Sequence, residues 1–150
     1  MSPREDAMSR DDANQTAAFD IQSIAASFPP TAQTLLLDTR LTDREAASAR
    51  VFRVYRPTPP HFHATCDEYL FCVSGRVTFW AGREDSLREV GPGELLFFSR
   101  GVVHAMPTIV EEPLVFLSVD TPRRDPRDVI FVDPADGTPD TFIKPIDPAR

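Results

Sequence analysis

From residue 49 onward, apolar positions fall into short β-rich runs separated by turn residues. Ala49 to Arg56 carries Val51, Phe52, Val54 and Tyr55, and Pro57, Pro59 and Pro60 interrupt it, which predicts a bend or a sheet edge. Glu68 to Val73 is a second run, stopped at Ser74-Gly75. Arg76 to Trp80, Ser86 to Val90, Glu94 to Phe98, Val102 to Met106 and Leu114 to Asp120 follow, punctuated by Ala81-Gly82, Gly91-Pro92-Gly93 and Ser99-Arg100-Gly101. Upstream, Asp20 is placed to cap a short helix over 21–27 that Pro29 and Pro30 stop, and 34–38 reads as a first strand. Asp43 to Ala47 suits a turn or a single helical turn. Short strands with turns every ~8–12 residues indicate a sandwich or a barrel.

Residues 1–18 are polar and without periodicity and read as a flexible N-terminal arm. Residues 19–150 read as one domain, with a core over about 34–120 and an extension over 121–150. The extension is rich in Pro and Asp, yet it holds a candidate strand at 129–132 and an apolar pair, Phe142-Ile143. It is expected to pack along the core or on a partner subunit.

Charge narrows the class. The 23 acidic residues outnumber the 16 basic ones, for a net charge of −7, which argues against nucleic acid and anionic membranes as partners. No segment reaches the ~18 apolar residues that span a bilayer. The first residues lack the apolar core of a secretory signal, so a cytoplasmic protein is expected. Cys66 and Cys72 are two cysteines six positions apart, which is not a disulfide scaffold. They read as small buried residues, with Cys72 on the parity of Glu68.

Candidate chemistry gathers where the turns do. Five of the six glycines lie between Gly75 and Gly101, and all three histidines lie in or beside this stretch. His61 and His63, spaced i, i+2, point to one face of a strand, with Phe62 on the other. Two imidazoles so placed can each give a nitrogen to one ion at about 2.0–2.2 Å. Glu68 opens the next strand and can face back toward them. His104, after the Gly101 turn, can close the set from a separate strand. Three neutral nitrogens and a carboxylate suit one first-row divalent ion, and iron, manganese, nickel, cobalt, copper and zinc all remain open. No residues are assigned to an organic cofactor.

These residues resemble the cupin superfamily. Its first motif is a glycine, five residues, His-x-His, three or four residues, Glu, six residues and a glycine; here it reads His61-Phe62-His63, four residues, Glu68, six residues, Gly75, with Tyr55 at the leading glycine. The second is a glycine, five residues, Pro-x-Gly, two residues, His, three residues and Asn. Here it reads Gly93, five residues, Ser99-Arg100-Gly101, two residues, His104, with Ser99 for the proline and Thr108 for the asparagine. The resemblance implies an all-β double-stranded β-helix, a jelly-roll barrel with an ion inside one end held by His61, His63, Glu68 and His104.

It also implies an enzyme acting on a small organic substrate, with dioxygenase-type oxidation first. In that scheme Glu68 is a fourth ligand that swings off to act as a base. A redox-neutral isomerase, lyase or decarboxylase and a non-catalytic binding barrel are the alternatives. Trp80, Phe79, Leu96, Phe97 and Phe98 are expected in the core, and Tyr69 as packing on the opposite face from Glu68. Arg53, Arg56 and Arg100 are candidates for a substrate carboxylate, although solvated positions are the commoner use of such arginines. A homodimer is expected, because barrels of this kind leave apolar sheet faces that pair.

Overall fold

The computed structural model describes residues 16–146. Most of the expected arm, and the last residues of the extension, lie outside the described residues. Asp20 caps helix α1 (Ile21–Ala26): its carboxylate accepts from the Ser23 N–H at 3.1 Å and the Ser23 hydroxyl at 2.7 Å. The strands are β1 (Leu36–Asp43), β2 (Ser48–Val54), β3 (Thr58–Phe62), β4 (Asp67–Ala81), β5 (Arg88–Val90), β6 (Leu95–Phe98), β7 (His104–Thr121), β8 (Ile130–Phe131) and β9 (Ile143–Pro145). A four-residue helix, α2 (Pro139–Phe142), precedes β9. β1 and β2 form a hairpin whose turn is closed by Arg44 N–H to Ala47 O (3.0 Å) and Ala47 N–H to Arg44 O (3.2 Å).

Two long strands, β4 with 15 residues and β7 with 18, are shared between both halves of a jelly-roll barrel. The start of β4 pairs with β6 and with the end of β7, and β7 passes on to β2, β1 and β9. The end of β4 pairs with β5 and with the start of β7, which also carries β3, which in turn carries β8. The sequence pattern predicts two strands in place of β4 and two in place of β7. At Ser74-Gly75 the chain does not turn back; the register slips there and the strand bends into the second half. Gly75 permits this: its φ is +84°, and a Cβ would stand 2.6 Å from the Pro113 carbonyl oxygen. The proline-rich run 58–62 is a strand after all, but its pairing with β7 slips between Thr58 and His61, as expected where prolines withdraw N–H donors.

Alternation sorts the side chains. Arg50, Phe52 and Val54 on β2, Glu68, Leu70 and Cys72 on β4, Leu96 and Phe98 on β6, and Leu114, Phe116 and Asp120 on β7 are all buried. The apolar members of this set form the interior core with Leu36, Val77 and Met106. On the outer face, Leu37, Val51 and Val115 are covered by Phe28 and by Ile21 and Ile24 of α1. Phe97, expected in the core, is 51% exposed; it alternates with Phe98 and therefore faces outward, against Tyr69 at 4.9 Å between rings. Arg53 and Arg56 tie down the segment after α1, donating to the carbonyls of Pro29, Ala32 and Gln33, and Arg100 pairs with Asp67 at 3.2 Å. None of these three arginines lines the interior cavity described below. No helix among the described residues is long and apolar enough to cross a membrane.

Candidate metal centre

The three histidines arrive from two strands that lie side by side. His61 on β3 faces His104 at the start of β7, and His63 stands one residue past β3. The turn before β7 is fastened to this point, since Gly101 N–H donates to the His63 carbonyl at 2.7 Å. All three rings are buried. One ring nitrogen from each lies within 4.8 Å of the others.

The hydrogen bonds decide which nitrogen that is. Nδ1 of His61 meets the Pro59 carbonyl at 2.7 Å, Nδ1 of His63 the Asp128 carbonyl at 2.6 Å, and Nδ1 of His104 the Val102 carbonyl at 3.0 Å. A carbonyl only accepts, so each Nδ1 carries a proton, and in the neutral ring Nε2 keeps its lone pair. His104 is fixed further by Phe98, stacked on it with ring centroids 4.0 Å apart and planes 7° from parallel. Three buried imidazoles with free Nε2 lone pairs form a donor set that can hold a first-row divalent ion.

Glu68 stands beside this set. Its Oε1 is 3.4 Å from Nε2 of His63 and 3.7 Å from Nε2 of His104. Behind it lies a buried charge cluster that the sequence reading missed. Arg50 Nη2 is 3.7 Å from Glu68 Oε2 and 3.2 Å from Asp120, and Arg50 Nη1 is 3.5 Å from Asp38. Arg124 Nε is 3.5 Å from Asp120. The signal was available: Arg50 shares the parity of Phe52 and Val54 and so must face inward. Asp128 was missed as well, and no local pattern marks it. Its carboxylate accepts from Ala64 N–H (2.7 Å), Thr65 N–H (3.0 Å) and the Thr65 hydroxyl (2.8 Å), holding the turn that follows His63.

These neighbours set the protonation. Burial, followed by the adjacent His104 and His63, pushes His61 well below the usual imidazole range. Burial lowers His104 to about 4, against the pull of Glu68. For His63 burial acts downward too, but the Glu68 carboxylate outweighs it and its pKa is raised. Burial alone would raise Glu68; His63, His104 and Arg50 together reverse this and hold it ionised. Cys66 and Cys72 are free and buried, and burial pushes their thiols up to about 12 and about 11, so both stay protonated.

The cavity around the site is small, about 30 Å³. His61, His63, His104, Glu68 and Arg50 line one side of it, and Leu36, Phe52, Val54, Leu70, Met106 and Phe142 supply an apolar remainder.

The Cupin domain family matches residues 53–120. In three dimensions the chain is similar to a conserved protein with a double-stranded beta-helix domain from Klebsiella pneumoniae, at 17% identity and TM-score 0.58, covering 73% of this chain and 92% of that one. It is also similar to a candidate mannose-6-phosphate isomerase from Ralstonia eutropha, at 20% identity and TM-score 0.60, over 71% of this chain and 98% of the other. KdgF from Halomonas sp. is similar at 18% identity and TM-score 0.53, over 61% and 83%. At such identities the likeness is one of fold. No protein with a curated description matches the sequence.

Proposed function

We propose that this chain, which belongs to the cupin superfamily, is a metal-dependent enzyme that acts on a small organic substrate, with dioxygenase-type oxidation as the leading reaction. The observation that carries the reading is the set of three Nε2 lone pairs converging beside an ionised carboxylate in an apolar cavity. His61, His63 and His104 would hold the ion, with Glu68 as a fourth ligand. A bound ion supplies Lewis acidity and, if it is iron, manganese or copper, one-electron chemistry. The protein's own part is to orient and to exclude. The carbonyls on Nδ1 fix the rings, the apolar lining excludes water from the reacting face, and Glu68 can accept a proton at Oε1. That acceptor favours a second, redox-neutral reading, isomerisation or lyase chemistry, in which the carboxylate moves a substrate proton.

The test is elemental analysis of the full chain purified without a histidine tag or chelator. About one equivalent of iron, manganese or copper supports the oxidative reading, and oxygen uptake is then screened against small aliphatic oxyacids. One equivalent of zinc or nickel directs the search to isomerase and lyase substrates. An intact protein with no metal, and none taken up on reconstitution, overturns both and leaves a binding barrel.

We also propose a homodimer. Tyr69 and Phe71 on β4 lie opposite Phe97 and Leu95 on β6, and all four side chains are exposed on the outer face. A second copy is the occupant proposed for this patch. Light scattering on the full chain should give twice 16.8 kDa, and a Phe97→Asp variant should give 16.8 kDa. A monomeric wild type at high concentration would defeat the proposal.

A further inference from the structure

The extension after β7 is fastened at two places, one on each half of the barrel. At the first, β8 pairs with β3, setting Phe131 opposite His61, and Val132 N–H donates to the Pro60 carbonyl at 3.1 Å. At the second, β9 runs parallel to β1, setting Ile143 opposite Leu36. Leu35 N–H donates to the Thr141 carbonyl (3.2 Å), and Ile146 N–H to the Asp38 carbonyl (2.7 Å). β3 and β1 do not pair with each other. Residues 132–142 therefore strap one sheet edge to the other, across a gap beside the cavity, since His61 and Leu36 both line it.

Within the strap one side chain reaches the cavity. Phe142 is the lining residue that comes from beyond β7. It is buried, with its ring centroid 4.9 Å from that of His61 and 5.7 Å from that of Phe131. Its backbone is firmly placed: Phe142 N–H donates to the Thr138 carbonyl at 3.1 Å, and Thr138 N–H to the Thr141 hydroxyl at 2.9 Å. Gly137, at φ +145°, makes the preceding turn, and a Cβ there would stand 2.6 Å from the Thr141 hydroxyl oxygen. Phe142 is thus a built wall of the cavity, set against one of the three ion-binding rings.

We propose that Phe142 sets the size limit of the ligand: compact aliphatic molecules reach the histidine face, and molecules that carry an aromatic ring next to their coordinating group do not. This rests on the metal reading above. The rest of the apolar lining is Leu36, Val54, Leu70 and Met106, and the space they leave is about 30 Å³, which suits only a compact body. An aromatic ring would need the volume that Phe142 and Phe52 already fill.

The full chain, Phe142→Leu and Phe142→Ala are loaded with Co(II) and titrated with acetate and with benzoate, following the visible spectrum of the ion. Wild type should respond to acetate and bind benzoate at least about tenfold more weakly. Phe142→Ala should gain about tenfold or more in benzoate affinity with acetate little changed, and Phe142→Leu should fall between. Equal benzoate affinities in wild type and Phe142→Ala, or acetate moving in parallel, would overturn the proposal. If folded protein takes up no Co(II), the metal reading fails, and a metal-free measurement decides the wall itself. Benzene should then raise the melting temperature of Phe142→Ala and leave wild type unmoved, since an emptied apolar cavity takes up benzene. Absence of that rise overturns the proposal, and Phe142→Leu is read in the same way if the alanine variant does not fold.

Discussion

The main-chain carbonyl of Asp128 accepts the Nδ1–H of His63 at 2.6 Å, while the Asp128 carboxylate closes the turn at Ala64 and Thr65. One residue, 65 positions away in sequence, thus orients a ring and anchors the backbone behind it. Asp128→Ala keeps the carbonyl but frees the turn. Metal affinity should fall about 10- to 100-fold, the usual cost of losing a partner behind a ligand. Asp128→Asn, which keeps one acceptor, should lose less. Competition against a chelating dye measures both, and an unchanged affinity in Asp128→Ala would show that the carbonyl alone suffices.

Metal binding should depend on pH through one proton. His61 and His104 are held below the ordinary imidazole range and stay neutral near neutrality, whereas His63 is raised by Glu68. An ion and a proton compete for the same Nε2, so affinity is full above the raised His63 value and falls as pH drops through it. The expected loss is about tenfold per pH unit below a break that lies above the ordinary imidazole range, flat above it. A slope of two protons in the titration would mean that a second ring charges in the same range.

Arg50 lies among three buried carboxylates, Asp38, Glu68 and Asp120. Removing it takes the guanidinium from buried Asp38 and Glu68 and leaves Asp120 with Arg124 alone. Arg50→Met should destabilise the metal-free protein by about 3–5 kcal/mol. Arg50→Lys keeps the charge but cannot span three partners and should recover part of the loss. Urea unfolding midpoints decide, and a methionine variant as stable as wild type would mean that the cluster contributes no net stability.

Gly75 and Gly93 have nearly the same φ, +84° and +87°, but different surroundings. A Cβ at Gly75 meets backbone of Glu111, Pro113 and Leu114 within 2.8 Å, whereas at Gly93 nothing lies within 4 Å. Gly93→Ala should cost about 1–3 kcal/mol from conformation alone. Gly75→Ala should cost more, since backbone must also move. Equal melting temperatures for the two variants would contradict this.

The parts legible in the sequence were those with local grammar. The His61, His63, Glu68 and His104 spacing depends on strand parity and short turns, and the structure gathers those four side chains as that parity requires. The Asp20 cap and the turn glycines are equally local. The continuity of β4 and β7 was not legible, because a bulge at Ser74-Gly75 and a turn there have the same composition, and only the packing of Pro113 against Gly75 separates them. Phe97 misled because an apolar run of four hides its alternation, and an exposed phenylalanine is recognisable only once its neighbours on β4 are known. Arg50 could have been placed by parity. Asp128 and Phe142 could not, since each acts on a residue more than sixty positions away.

The three carbonyls that take the Nδ1 protons have a thermodynamic consequence. In many small metal-binding domains, ligands are gathered only when the ion arrives, so that binding and folding are one event. Here Pro59, Val102 and Asp128 orient the rings through main-chain contacts that the ion does not supply. Reorganisation belongs to folding and not to coordination, which separates the two equilibria. A chelator should remove the ion and leave the barrel standing, with its circular dichroism unchanged, and a returning ion should bind without a slow refolding phase.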